Sequence, residues 1–435
     1  MICNDRLVLF INMNFIKFIK STLNKLLLGS LLFNFSSIVK ANYVRSNKDE
    51  FLLVKRDDIN IVLSDDFTRE HNMNHLASIN DYTIYTINGE DYTKYYNTLS
   101  SFFYIEYNQV IKLNYIKLSE EKDKPNFILQ SDDNYVHSSK SSIPWHLDRI
   151  DKTENVPSGN YKYNSTGSCH TDKRVIVDTY VIDTGIDINH SQFNGRAKWL
   201  ANFADNDDTD CQSHGTHCSG IIGSQDYGVC KDANLFAIKV LDCDGSGTLS
   251  GVIKGIEYAY ESHLSRLELM RDSDSDSVLK SIISMSLGGG LSKIINRAVE
   301  MALKGSDSFY VVAAAGNEDS DSCKTSPASA KGVLTVMASD ISDKRAYFSN
   351  WGPCADIYAP GVAVQSTVPD GKVATYSGTS MACPMIAGVL NHYLHMYPEM
   401  SRDEIKNKMF KDANKNLIKN NKMKTKNLLV HLNRD

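Results

Sequence analysis

Residues 175–183 read VIVDTYVID, a mostly apolar run that stops at the carboxylate of Asp183. A strand this apolar has to be covered on both faces, as strands of a parallel sheet are. Three later runs have the same character: NLFAIKVL at 234–241, SIISMS at 281–286 and FYVVAAAG at 309–316. Between them lie SGVIKGIEYAY, following Thr248, and KIINRAVEMAL, following Ser292, with apolar residues three and four apart as on one face of a helix. Strand followed by helix, repeated, predicts an α/β domain with a doubly wound, mostly parallel sheet and helices on both faces. RDSDSDS at 271–277 reads as a solvated loop.

Toward the amino terminus the pattern changes. Residues 42–118 alternate short strands (FLLVK at 51–55, YTIYTI at 82–87, FFYIEY at 102–107, VIKLNYIKL at 110–118) with polar segments. Among these, DYTKYYNTLSSF has helical spacing, which predicts a small α+β domain of βαββαβ type. Residues 119–142 are polar and aperiodic, as expected of a linker that carries a processing site. The α/β domain is expected over 143–435. At the start, Lys17, Lys20 and Lys25 precede the apolar run LLLGSLLFNFSSIV and the small residue Ala41, the pattern of a secretory signal over 1–41. The run falls short of the roughly 20 apolar residues that span a bilayer. Whether the chain begins at Met1 or Met13 stays open.

The 435 residues are 42% apolar and 23% charged, which excludes collagen-like, wholly disordered and multi-span membrane classes. Lys and Arg total 47 against 52 Asp and Glu, for a formal charge of −5. That lack of basic excess argues against a nucleic-acid partner.

In sheets of this kind the working groups gather beyond the carboxyl ends of the strands. One run ends at Asp183 and another at Asn317; HGTHCSG carries His214 and His217 on a helix, and Ser380 opens the apolar helix MACPMIAGVL. A serine hydroxyl needs a neighbouring base to become a nucleophile, and histidine titrates in the right range. A carboxylate orients that histidine, and an amide can donate to the oxyanion of a tetrahedral intermediate. Asp183, His214, Ser380 and Asn317 supply one of each. Singly they also read as a strand-end turn, a satisfied helix histidine and a helix cap.

The flanks of these residues resemble the signature blocks of subtilisin-like serine proteases: Asp183-Thr184-Gly185, His214-Gly215-Thr216-His217 and Gly378-Thr379-Ser380-Met381-Ala382, in that chain order. Pro144-Trp145-His146-Leu147-Asp148-Arg149-Ile150, YGVCKDANLFAIKVLDCDGSGTLSGVI and Asn427-Leu428-Leu429 are most similar to the proteinase K branch. The resemblance implies Ser380 as nucleophile, His214 as general base, Asp183 as its orienting carboxylate, and Asn317 with the Ser380 amide as oxyanion hole. It implies that Ser286-Leu287-Gly288 and Ala314-Ala315-Gly316 are the edges between which a peptide lies, and that Gly247 and Leu249 line a further subsite. It also implies a secreted monomer acting on protein or peptide substrates, with a broad preference for apolar or aromatic residues before the cut. Residues 42–118 would be an inhibitor and folding template, with Ile105-Glu106-Tyr107-Asn108 similar to its last strand, and cleavage would fall within 113–142. Departures from the pattern are Ser213 before the histidine, Cys383, and Met385-Ile386 after Pro384.

Nine cysteines include Cys3 in the leader. The other eight allow 105 pairings on sequence alone. The resemblance implies disulfides Cys211–Cys243 and Cys323–Cys354, each worth about 2–4 kcal/mol, and a free Cys218 that would confer sensitivity to mercurials. Cys169, Cys230 and Cys383 are left without partners. No cofactor is needed for the chemistry. Asp356, with carbonyls near Lys331 and Val333, would be a structural calcium ligand, and Asp412 with Thr153 a weaker one. Two other readings compete: a catalytically impaired homologue that binds peptides or inhibitors, and a serine esterase.

Overall fold

The computed structural model describes residues 50–56, 59, 63–122, 128–132, 135–139, 143–156, 158–164, 174–273 and 276–433. The leader, Cys3 and Cys169 lie outside them. The amino-terminal part runs β1 (Glu50–Lys55), α1 (Asp65–Glu70), β2 (Asn74–Ile79), β3 (Tyr82–Asn88), α2 (Gly89–Phe102) and β4 (Phe103–Tyr107). This is the expected βαββαβ order, paired antiparallel as β2-β3-β1-β4. Alternation along the strands divides their side chains between two faces. Leu53, Ile87 and Phe103 pack against Leu99 of α2, while Leu52, Val54, Ile79 and Ile84 turn the other way into the core of the larger domain.

Then follow β5 (Val110–Lys112), β6 (Ile116–Lys122), β7 (Ile128–Asp132), β8 (Tyr135–Ser139), α3 (Trp145–Ile150) and β9 (Asn160–Asn164). The stretch 119–142, expected as aperiodic linker, therefore contains strand: β7 and β8 form a hairpin that β9 extends. Its ladder partner is supplied by a segment of the catalytic domain, which no local periodicity announces.

The larger domain continues with β10 (Val175–Asp183), β11 (Ala197–Asn202), α4 (His214–Gly223), β12 (Asn234–Lys239), β13 (Ser246–Thr248), α5 (Leu249–Asp272), β14 (Val278–Met285) and β15 (Gly289–Gly290). After these come α6 (Lys293–Gly305), β16 (Phe309–Ala314), β17 (Thr325–Ser326), β18 (Leu334–Ser339), β19 (Ile357–Pro360), β20 (Val364–Val368) and β21 (Lys372–Ser377). The last elements are α7 (Thr379–Met396), α8 (Arg402–Asp412), β22 (Asn414–Lys415) and β23 (Leu428–Leu429). Among the described residues, nine strands form one sheet in the order β11-β12-β10-β14-β16-β18-β19-β23-β22, parallel except at the β22–β23 edge.

Successive residues of each strand feed two cores. Val177, Val181, Leu235 and Ala237 lie under α4 and α7, while Tyr180, Ile182, Phe236 and Ile238 lie under α5 and α6. Helix starts are locally encoded: the Thr248 hydroxyl accepts from Gly251 N–H, that of Ser292 from Ile295 N–H, and Ser401 with Glu404 forms a capping box. The helix α5 is longer than its core motif suggested. It runs through Leu264 and Arg271 into the stretch expected as loop, because Leu264 and Tyr260 still reach the core.

Candidate active site

Asp183 is the last residue of β10 and His214 the first of α4, and both are fully buried. The helix start comes unusually close to the strand end: a Cβ on Gly215 would lie 2.1 Å from the Gly185 carbonyl oxygen, so only glycine fits. That approach places His214 Nδ1 at 2.7 Å from Asp183 Oδ1, which also accepts from the Thr184 amide at 2.7 Å.

Asp210, unremarked in the sequence, organises the loop leading into α4. It accepts from the Thr184 hydroxyl (2.8 Å), the Ser213 amide (2.9 Å), the Thr216 amide (2.8 Å) and the Thr216 hydroxyl (2.5 Å). Its burial still raises the carboxyl pKa above the usual range. Ser213 and Thr216 lie within six residues of Asp210, and Thr184 directly follows β10. Ser213 takes φ +85°, which explains why glycine is the expected residue there. Its hydroxyl shares a 2.7 Å hydrogen bond with Tyr376 OH.

Ser380 is the second residue of α7, and its hydroxyl donates to the Ser286 carbonyl at 3.0 Å. Cys218, one turn along α4, ties the two helices together: its thiol donates to the Ser380 carbonyl (3.4 Å) and lies 3.8 Å from His214 Nδ1. Burial pushes that thiol pKa well up, so it stays protonated and unreactive at neutral pH. Asp183, His214 and Cys218 offer ligand atoms within 4.8 Å of one another, but the carboxylate and imidazole already bond each other and the thiol is protonated. His217 shares α4 but not the pair. It is fully buried, stacked on Tyr376, and burial drives its pKa down to about 3.

Asn317 follows β16 through Gly316, whose φ of +104° and crowding by Asn350 Nδ2 (2.3 Å from an added Cβ) exclude a side chain. The Asn317 amide is aimed by α7: its Oδ1 accepts from the Thr379 amide (2.8 Å) and hydroxyl (2.9 Å), leaving Nδ2 to donate. That Nδ2 donates to the carbonyl oxygen of Asn114, from the segment joining β5 to β6. A backbone carbonyl thus occupies that donor.

Gly247 and Leu249 meet the amino-terminal segment through the backbone: Gly247 pairs with Ile111, and the Leu249 amide donates to the Gln109 carbonyl at 3.0 Å. Leu287 and Gly289 lie beside Ile111. Among the described residues the ladder runs on Ser246–Thr248 and not on the expected edges at 286–288 and 314–316. The Ala315 carbonyl is taken by the Asn350 amide and the Thr325 hydroxyl.

The departures in α7 are absorbed by packing: Cys383, Met385 and Ile386 are all fully buried in the core beneath α4 and α7. Cys211–Cys243 and Cys323–Cys354 are disulfides, while Cys218, Cys230 and Cys383 are buried and form no disulfide among the described residues.

The calcium expectation does not fit. Asp356 Oδ1 accepts from Lys426 Nζ at 2.6 Å and Oδ2 from Lys406 Nζ at 3.0 Å, and Lys406 also donates to the Val333 carbonyl at 3.1 Å. An ammonium group therefore bridges the carboxylate and the carbonyl that were to hold the ion. Asp412 is likewise engaged, by Lys408 and by Tyr393 OH (2.7 Å). A cation would have to displace these lysines against their charge. Excess EDTA is accordingly expected to leave the melting temperature within about 2 °C, whereas stripping a stabilising ion would lower it by more. Differential scanning fluorimetry reads the difference.

A family model described as the subtilase family matches residues 173–428. The chain is 46% identical over 273 residues to subtilisin-like serine protease Rho m 2.0101 of Rhodotorula mucilaginosa, covering 60% of this chain and 76% of that one. It is 42% identical over 317 residues to subtilisin-like protease 8 of Arthroderma benhamiae, covering 68% and 63%. To alkaline protease 2 of Aspergillus fumigatus it is 43% identical over 277 residues, covering 61% of this chain and 54% of that one. The chain thus spans less than two thirds of some of these relatives. A crystal structure of a cold adapted subtilisin-like serine proteinase superposes with a TM-score of 0.59 at 37% identity, covering 68% of this chain and all of that one.

Proposed function

The chain belongs to the subtilase family of subtilisin-like serine proteases, and on that premise we propose that it is a secreted serine endopeptidase made as a self-inhibited precursor. Ser380 attacks the peptide carbonyl while His214 takes its proton and later returns it to the leaving amine. Asp183 holds the imidazole in the tautomer that presents Nε2 to the nucleophile, and Asn317 with the Ser380 amide stabilises the oxyanion. The observation that carries this reading is the Asn317 amide, oriented by Thr379 and holding a peptide carbonyl beside the buried His214–Asp183 pair. Small residues at Gly288 and Ala314-Ala315-Gly316 favour bulky apolar or aromatic side chains before the cut in protein substrates. Residues 42–118 act as the inhibitor: Glu106 accepts from the first amides of α6 (2.7 and 3.3 Å), and Asn108 bonds both the amide and the hydroxyl of Ser250.

A fluorophosphonate probe tests the reading against a binding-only homologue. The processed protein should label at Ser380 and hydrolyse peptides. Folded, processed protein that takes no label would sink the proposal. A second prediction concerns the oxyanion donor. Asn317→Ala should lower kcat on a peptide substrate about 100- to 1,000-fold, the scale established for subtilisin itself, with KM changed far less. Steady-state kinetics on the matured enzyme separates the two parameters.

A further inference from the structure

The route of the amino-terminal segment through the cleft leads to a specific bond. Antiparallel pairing sets Val110 against Thr248, Ile111 against Gly247 and Lys112 against Ser246, and the Leu113 amide donates to the Gly245 carbonyl at 2.9 Å. On the far side, Ile116 begins a second antiparallel ladder, pairing with Ser377 and continuing to Lys122 opposite Lys372. Between the two ladders only residues 113–115 are free of strand pairing. Within that short span the Asn317 amide holds the carbonyl of Asn114. The next side chain, Tyr115, packs on the catalytic pair, its ring centroid 4.8 Å from that of His214, with its hydroxyl accepting from the Gln212 amide at 3.1 Å.

We propose that this precursor cuts itself first between Asn114 and Tyr115, in a register set by Ile111. The proposal rests on the peptidase reading above. Ile111 is 2% exposed, packed with the core that contains Leu287, whereas its neighbour Val110 is 61% exposed. A slip of one residue would invert the two and move every side chain to the opposite face. Among the described residues the Asn114 side chain makes a single 3.4 Å contact, from its amide to Glu318, so the side chain before the bond contributes little to recognition. An apolar residue there, as expected of good substrates, is unnecessary here because the segment is already held in place within the same chain.

The step balances without any added oxidant or cofactor. Ser380 Oγ bonds the Asn114 carbonyl carbon while its proton passes to His214. The bond from that carbon to the Tyr115 nitrogen breaks, and the proton goes to the nitrogen, which leaves as an amine. Water then adds to the Asn114–Ser380 ester, freeing the Asn114 carboxyl group and restoring the serine.

Intact-mass analysis and amino-terminal sequencing of the full precursor over a refolding time course test this. The first new amino terminus should be Tyr115, with a complementary fragment ending at Asn114, and Ser380→Ala should produce neither. A Ser380-dependent first cut at any other bond would overturn the assignment and leave the peptidase reading intact. No cut in the wild-type chain, together with no fluorophosphonate label, would overturn the peptidase reading and the proposal with it. As a second measurement, Ile111→Ala should slow the first cut about tenfold or more by emptying a buried site. An unchanged rate would show that Ile111 does not set the register.

Discussion

Ser380→Ala should reduce peptide hydrolysis by about a million-fold, a magnitude taken from the subtilisin triad, and leave the precursor at full length. The reason is chemical rather than structural. Among the described residues the lost hydroxyl makes one hydrogen bond, to the Ser286 carbonyl, and a single such bond is worth about 0.5–1.5 kcal/mol. The melting temperature should therefore stay close to that of an uncut wild-type control, while catalysis falls to what the oxyanion donors and binding alone supply. A variant that retained even a hundredth of the wild-type rate would show that another group is the nucleophile.

Asp183→Asn should cost about ten-thousand-fold in kcat with the fold preserved. His214 Nδ1 and the Thr184 amide both donate to the same carboxylate oxygen, at 2.7 Å each. An asparagine can present one carbonyl oxygen to both, but its amide end competes to donate to the ring and turns the imidazole toward the wrong tautomer. The buried Asp183 Oδ2 makes no hydrogen bond among the described residues. Asparagine matches the carboxylate in size and keeps the acceptor that both donors use, so the fold should survive, with the melting temperature lowered by the lost charge assistance in those two hydrogen bonds. Kinetics and thermal unfolding on the same preparation separate these effects. Activity within tenfold of wild type would refute the orienting role.

Much of this site could be read in the sequence because several candidate groups lie at or near the end of an element whose type is locally encoded. Asp183 stops an apolar run, and Ser380 starts an apolar helix. The cysteine pairs 211–243 and 323–354 followed from resemblance and are bridged in the structure. Less accessible were β18 and β19, short strands whose apolar residues are interspersed with Thr335, Ser339 and Pro360 and so carry no clear period. Asp356 shows the opposite failure. A carboxylate in the right flank was read as a metal ligand, but Lys406 and Lys426, fifty and seventy residues later in the chain, neutralise it. Asp210 was missed because its four close donors come from residues on both sides of it that only folding assembles.

Residue order alone was enough to establish the layered α/β architecture, the family and the chemistry on offer, because hydrophobic period and short motifs are properties of neighbours along the chain. Which carbonyl lies under Asn317, which oxygen of Asp183 faces the ring, and whether a carboxylate meets a metal or a lysine were decided by tertiary structure. These are distances between residues remote in sequence, and an error of one position in a ladder changes all of them.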